Sequence, residues 1–456
     1  MTEGSRLAAF VERAAYEDMP EAARDQLRIR VLDSLGCAIG ALNGEPVRMI
    51  REHLEDFGGA GRCGLIGGGR TAPDRAAFYN GALVRYLDFN DSYLAPGETC
   101  HPSDNLGAVL AATEYASGSG RDLLTSLAVS YQVQCRLSDE APVRAKGFDH
   151  TTQGVYGAAA GVAKALDLDA ERTANAVAIA GTAFNALRVT RTGALSHWKG
   201  LAAPNAAFAG LHSAFLAMRG ITGPAEVFEG NKGFREAIAG PFEIEWEREG
   251  LDRVTRTILK RYNAEIHSQS TLEGALELRA RHSIDPAAIE LVQVETFDVA
   301  YHIIGGGEEG DKTLVRTKEE ADHSLNYMLA AALLDGQVLP AQYDPERIGR
   351  EDVQSLLRRV VVRPRADFSA RFPAEMPSRV AIHLQDGTVH EIEKRDYEGF
   401  HTRPMRWETV AAKFDGLASS RAGEALRGEI REAVRTLEDR PVAELLALLM
   451  RVGQDR

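Results

Sequence analysis

The chain is expected to be mostly α, with a large all-helical domain interrupted by a smaller α+β lid domain. Three observations carry this expectation. From about residue 5 to 268 the apolar residues recur at helical spacing. Near residue 285 the texture changes to runs rich in β-branched residues, and after "HTRPM" (401–405) the helical pattern returns. At 456 residues the chain exceeds what a single core usually supports. The expected organisation is therefore a helical domain over 1–268, an α+β domain over 269–400, and C-terminal helices over 401–456 that rejoin the first domain.

In the first segment, "QLRIRVLDSLGCAIGAL" (26–42) and "LLTSLAVSYQVQCRL" (123–137) read as amphipathic helices. "GVYGAAAGVAKALDL" (154–168), "TANAVAIAGTAFNAL" (173–187) and "NAAFAGLHSAFLA" (205–217) carry small residues on more than one face, which lets helix backbones approach closely in a bundle. These runs are short and interrupted by polar residues, so a membrane span is not expected. In the second segment, "AAIELVQVETFDVA" (287–300), "LLRRVVVRPR" (356–365) and "RVAIHLQDGTVHEIE" (379–393) read as strands. Val380, Ile382 and Leu384 alternate before an Asp386-Gly387 turn, which predicts a hairpin. A single helix is expected over about 318–335, and "WETVAAKFDGLA" and "AELLALLMRV" supply the closing helices.

The balance of 53 basic against 66 acidic residues leaves a net charge of −13. Such a surface repels nucleic acid and anionic membranes, and an anionic substrate would need cations gathered locally. The N-terminal stretch carries acids within an amphipathic pattern and does not read as a signal peptide. Cys37, Cys63, Cys100 and Cys135 are dispersed without a Cys-x-x-Cys pair, which points to a reduced, cytoplasmic protein without a cysteine-held metal centre.

Five polar islands could carry chemistry. The first, "NDSYLAPGETCHPSDN" (90–105), follows a helix-like stretch that delivers Asp88, Asn90, Asp91 and Ser92 to its edge. It contains His101 as a candidate acid or base, with Ser103 or Asp104 as a candidate N-cap of the next helix. The second, "KGFDHTTQGVYG" (146–157), places His150 before a small-residue helix. The third, "RVTRTGALSHWKG" (188–200), gathers Arg188, Arg191, His197 and Lys199; the fourth, "LKRYNAEIHSQS" (259–270), gathers Lys260, Arg261 and His267. The fifth, "DHSLNY" (322–327), sets His323 and Tyr327 four apart on one face of the expected helix. Each has an ordinary structural reading as a cap, a basic turn or a solvated loop. Taken together, they suggest one site for a small anion at the domain interface.

Other chemistries fit less well. "GAAAGVAK" lacks the order of a phosphate loop, and "IIGGGEEGDK" (303–312) is glycine-rich but acidic, more like a mobile loop than a phosphate cradle. Asp88, Asp91, His101 and His150 lack a usual metal-ligand register, so no metal is expected. Cys100 beside His101 reads as a small residue, not a thiol nucleophile.

The stretches "YLDFNDSYLAPGETCHPSDNLGAVL" (86–110), "GFDHTTQGVYGAAAG" (147–161), "LSHWKGLAA" (195–203), "ILKRYNAEIHSQS" (258–270), "ADHSLNYMLAAALLDG" (321–336), "YDPERI" (343–348), "ARFPAEMPSRV" (370–380) and "KRDYEGFHTRP" (394–404) together resemble the MmgE/PrpD family over nearly the whole chain. The resemblance implies a helical domain with an α+β lid, usually a homodimer, and a cofactor-free site between the domains. By that similarity the site maps onto Asp88, Ser92, His101, His150, Lys199, Lys260 and Tyr327, with His267 in second rank; Asp91 and Arg261 are further candidate substrate-binding residues. It implies loss of water from a tricarboxylate, in first place 2-methylcitrate, by proton abstraction α to a carboxylate. Family members that decarboxylate cis-aconitate have a shorter loop before His-Pro-Ser and a histidine near the position of Glu265, whereas this chain reads "NAEIH". That departure favours dehydration over decarboxylation. An epimerase of the iminodisuccinate type and a non-catalytic anion-binding protein stay open. Lysines would neutralise the substrate carboxylates, while His101, His150 or Tyr327 would move protons and Asp88 would orient a histidine.

Overall fold

A computed structural model describes residues 1–193 and 195–454, so the last two positions of the expected C-terminal segment lie outside it. The chain divides into two compact units: Met1–Arg191 with Gly200–Thr257 and Arg406–Arg456, and Thr192–Lys199 with Ile258–Met405. The larger segment of the second starts at Ile258, and the island around Lys260, Arg261 and His267 belongs wholly to it.

The first unit is a helical bundle whose central members are Glu21–Gly40, Pro73–Tyr86, Leu106–Tyr115, Gly120–Glu140 and Thr151–Ala165. Helix Gly120–Glu140 starts in a capping box: Ser119 Oγ accepts from the Asp122 amide, and the Asp122 carboxylate accepts from the Ser119 amide. The small-residue pattern produces the expected close packing. A Cβ at Gly161 would stand 1.8 Å from Ser130 Oγ, so helices Gly120–Glu140 and Thr151–Ala165 can approach only because that side chain is missing. The C-terminal helix Trp407–Ala418 returns to Glu21–Gly40, where Lys413 Nζ meets Asp33 Oδ1 at 2.7 Å in a buried ion pair. Removing either partner would strand a charge at a cost of roughly 3–5 kcal/mol.

Helix Trp198–Met218 departs from the sequence reading. With 21 residues and a mean hydropathy of 1.2 over its most apolar stretch, it is long and apolar enough to cross a membrane by composition alone. Over half of that stretch (56%) is buried within the protein, which accounts for its apolar faces without a bilayer.

The second unit is built on a four-stranded sheet in the order Val360–Pro364, Ile289–Thr296, Ser378–Leu384, Val389–Lys394. The first pair is parallel and the others antiparallel. The expected hairpin is present, and Gly387 takes φ +87° in its turn, a conformation that favours glycine. Val292, Val294, Val380 and Ile382 point into a core shared with helices Gln269–His282 and Leu325–Asp335. The single helix expected over 318–335 is broken in two, Lys318–Ala321 and Leu325–Asp335. Ser324 causes the break: its side chain caps the second helix by accepting from the Tyr327 amide at 3.0 Å. Asp322 and His323 therefore lie in a turn, and His323 and Tyr327 do not share a helical face.

Candidate active site

In the first unit, helix Pro73–Tyr86 ends at a left-handed residue, Asp88, with φ +52°. Arg85 Nη1 donates to its carboxylate at 2.5 Å. Beyond it, the segment expected to be irregular contains a tight hairpin, Tyr93–Ala95 against Glu98–Cys100, which pairs Tyr93 with Cys100. That pairing folds His101 back onto Asp91 and Ser92. His101 Nδ1 lies 2.7 Å from the Asp91 carbonyl and 3.1 Å from Ser92 Oγ. A carbonyl can only accept, so Nδ1 carries the proton and Nε2 is the basic nitrogen of the neutral ring.

The acids of this loop are buried and mostly structural. Asp91 accepts from the Ser103 amide and hydroxyl at 3.1 and 2.6 Å and from Tyr131 Oη at 2.7 Å, which commits both of its oxygens to architecture. Neither Ser103 nor Asp104 caps the next helix, Leu106–Tyr115; its N-cap is Asn105, without a side-chain bond. Asp104 instead accepts from Asn90 Nδ2 at 2.9 Å, and its second oxygen has no hydrogen-bond partner among the described residues. Burial pushes its carboxyl up to about 7, against the pull of Arg85, with Asp91 adding to the rise.

His150 sits at the start of helix Thr151–Ala165, and its ring meets that of His101 edge to face, 5.3 Å between centroids. Arg191 joins it to Asp149: Nε donates to Asp149 Oδ2 at 2.8 Å, and Nη2 lies 3.2 Å from His150 Nε2. A guanidinium can only donate, so His150 Nε2 accepts and its ring proton is on Nδ1, which has no hydrogen-bond partner among the described residues. Burial pushes His150 down to about 3 despite the opposing pull of Asp149, so the ring is neutral at ordinary pH. Burial alone would raise the Asp149 carboxyl, but Arg191 and His150 hold it well below the usual range.

In the second unit, Lys199 Nζ donates to Asp322 Oδ1 at 2.7 Å and lies 2.8 Å from His323 Nδ1. Lys318 Nζ meets the other oxygen of Asp322 at 2.9 Å. One carboxylate thus holds two ammonium groups, which overcome the effect of burial and keep it ionised. The broken helix makes this possible by turning Asp322 and His323 out of a helical ladder. The Glu265 carboxylate is tied to His267, with Oε1 2.7 Å from Nδ1 and Oε2 accepting from the amide at 2.8 Å. Burial would raise Glu265, yet His267, His323 and Lys260 hold it down at about 2.

Other expected site residues stand elsewhere. Tyr327 is fully buried in the core of the second unit, and its hydroxyl donates to the Gln342 carbonyl. Arg261 is exposed and pairs with Glu398 at 3.6 Å. Lys260 is buried, 1% exposed. Cys100 is buried beside Cys135, whose thiol burial pushes well up, so it has no nucleophilic setting. Arg191 stood among the cations of the third island, whereas Asp149, Asp322 and Glu265 were not singled out as site residues. A signal for two of them was present: both "FDHT" and "ADHS" put an aspartate directly before a histidine.

The cluster of the first unit holds two imidazoles of the kind that move protons, and that of the second gathers ammonium groups around buried carboxylates, the residue chemistry an enzyme working on small organic acids needs. The chain belongs to the MmgE/PrpD family: the model of the family's N-terminal domain matches residues 5–247 and that of its C-terminal domain residues 262–439. It is similar to the 2-methylcitrate dehydratase of Salmonella typhimurium, 27% identical over 82% of this chain and 81% of that one. It is also similar to the mitochondrial 2-methylcitrate dehydratase of Yarrowia lipolytica, 26% identical over 91% and 84%. The cis-aconitate decarboxylase of Mus musculus is 26% identical over 92% and 88%.

Proposed function

We propose that this chain is a hydro-lyase that removes water from a tricarboxylate, 2-methylcitrate in first place. The observation that carries the reading is the His101–His150 pair, two adjacent imidazoles that their partners hold in the same Nδ1–H tautomer, so that His101 can offer a basic Nε2 while His150 offers an N–H. Abstraction of a proton α to a carboxylate is difficult because the carbanion adds charge beside an existing anion. His101 Nε2 takes that proton, leaving a C=C bond as the C–O bond breaks. His150, held neutral, presents Nδ1–H to the departing hydroxyl as a hydrogen-bond donor that adds no charge of its own. Lys199 and Lys260 hold substrate carboxylates, and their positive charge lowers the energy of the carbanion-like state. Asp88 orients Arg85, and Ser92 steadies the His101 ring.

Decarboxylation is disfavoured at Glu265. Loss of CO2 leaves a carbanion that must be protonated, and a carboxylate held at about 2 is no acid at neutral pH. A homodimer and a cytoplasmic setting accompany the reading; the latter fits four free, buried cysteines. The test is turnover by the purified chain of 2-methylcitrate, citrate, cis-aconitate and iminodisuccinate, followed by product absorbance and by solvent deuterium uptake. Olefin formed from 2-methylcitrate supports the reading. Carbon dioxide from cis-aconitate, or deuterium exchange into iminodisuccinate without net turnover, replaces it.

A further inference from the structure

The acidic, glycine-rich segment 303–312 has no part in the chemistry above, yet it ends in a lysine placed beside the second unit's cluster. The placement is built by Ser324. The hydroxyl that accepts from the Tyr327 amide also donates to the Lys312 carbonyl at 2.6 Å. Ser324 directly follows Asp322 and His323, so the backbone at Lys312 is fastened to the turn that holds Lys199 and Lys318.

The Lys312 side chain is half-buried, and its ammonium has no hydrogen bond or ion pair among the described residues. The neighbouring Asp311 carboxylate is engaged elsewhere, accepting from the Thr313 amide and hydroxyl at 2.8 and 2.7 Å. Burial lowers the affinity of Lys312 for a proton, and the charges of Glu309, Glu265 and Asp322 counter that effect. Lys199 and Lys318 share one carboxylate, and Lys260 lies within the influence of Glu265. The cluster therefore holds four lysines around two buried carboxylates, and among the described residues the Lys312 ammonium has no hydrogen bond or ion pair, whereas Lys199 and Lys318 both bind Asp322. A partly desolvated ammonium in that position is stabilised by an incoming anion.

We propose that Lys312 is a specificity-determining residue that engages a third carboxylate of the substrate, so that the cluster prefers tricarboxylates to dicarboxylates. This rests on the reading that the second unit's cluster holds substrate carboxylates. The occupant is identified by charge: Lys199, Lys318 and Lys260 are balanced by or lie under the influence of Asp322 and Glu265, and a further carboxylate meets Lys312.

The test is calorimetric binding of two unreactive anions, tricarballylate and glutarate, to the full-length protein and to K312M, K312Q and K312R, with melting curves for each. K312M and K312Q are expected to bind tricarballylate about tenfold more weakly and glutarate almost unchanged, and K312R to recover most of the loss. On the substrate, KM should rise with little change in kcat. Unchanged tricarballylate binding in a folded K312M or K312Q overturns the proposal, as does an equal loss for both anions. A native protein that binds neither anion overturns the underlying reading instead, which keeps the two failures distinct.

Discussion

His101 and His150 meet edge to face, with 73° between their rings, and each is held by a partner that fixes which nitrogen bears its proton. If the pair moves the protons of the reaction, H101Q and H150Q should each keep the fold and lower kcat by roughly 10²-fold or more, the usual contribution of a positioned acid or base. Paired measurements of kcat and Tm decide the matter. Variants that melt early but turn over normally once folded would make both residues architectural.

Asp104 reverses the expectation attached to a helix cap. Its carboxyl is held up at about 7 in the folded chain, against about 3.9 for an unfolded aspartate, so the folded state binds the proton more tightly. Its contribution to stability is therefore present at low pH and declines as pH rises from about 4 through about 7. D104N retains the neutral shape and loses this slope. Its Tm relative to the native chain should be higher at pH 8 than at pH 5; a difference constant across pH would show that Asp104 does not titrate in this window.

K199M should lose on the order of 2 kcal/mol or more of transition-state binding, the cost of leaving an anion without its charged partner. The variant also leaves Asp322 with Lys318 as its remaining ammonium partner, so folding must be verified by circular dichroism. Near-normal kcat/KM in a folded K199M would remove Lys199 from substrate binding.

Y327F separates the core position from the sequence expectation. The hydroxyl donates to a carbonyl within the core, so its loss should cost about 1 kcal/mol of stability and leave kcat unchanged. A fall in kcat near that of the histidine variants would restore Tyr327 as an acid.

Much of this was legible in the sequence. Period-2 alternation at Val380 and Ile382 announced the hairpin, and the small-residue runs announced helices that pack as closely as Gly161 and Ser130 do. His101, His150, Lys199 and Lys260 stood out as polar residues beside small-residue or apolar runs, and the structure buries all four. What sequence spacing could not give was pairing. Arg191 reaches Asp149 across 42 positions, and Lys199 reaches Asp322 across 123, distances at which chain order carries no geometric information. The broken helix at Ser324 was missed for a different reason: helical propensity ran on through Asp322 and His323, and one capping hydroxyl overrode it.

Dialysis against a chelator should leave activity intact. Asp322 and Asp149 already neutralise cationic side chains, and a divalent ion could reach them only by displacing those partners. Activity that vanishes on chelation and returns with iron or zinc would require a different chemistry.

The left-handed turn at Asp88 governs which substitutions there can be interpreted. An alanine would remove the charge and, at φ +52°, also the short polar side chain that lets Asp and Asn adopt the left-handed region more readily than other residues with a β-carbon, so its effect on rate would be mixed with backbone strain and a displaced Arg85. Asparagine tolerates that backbone and keeps an oxygen that can accept from the guanidinium. An alanine scan would thus exaggerate Asp88, whereas the asparagine isostere isolates its charge and makes it the informative comparison at this position.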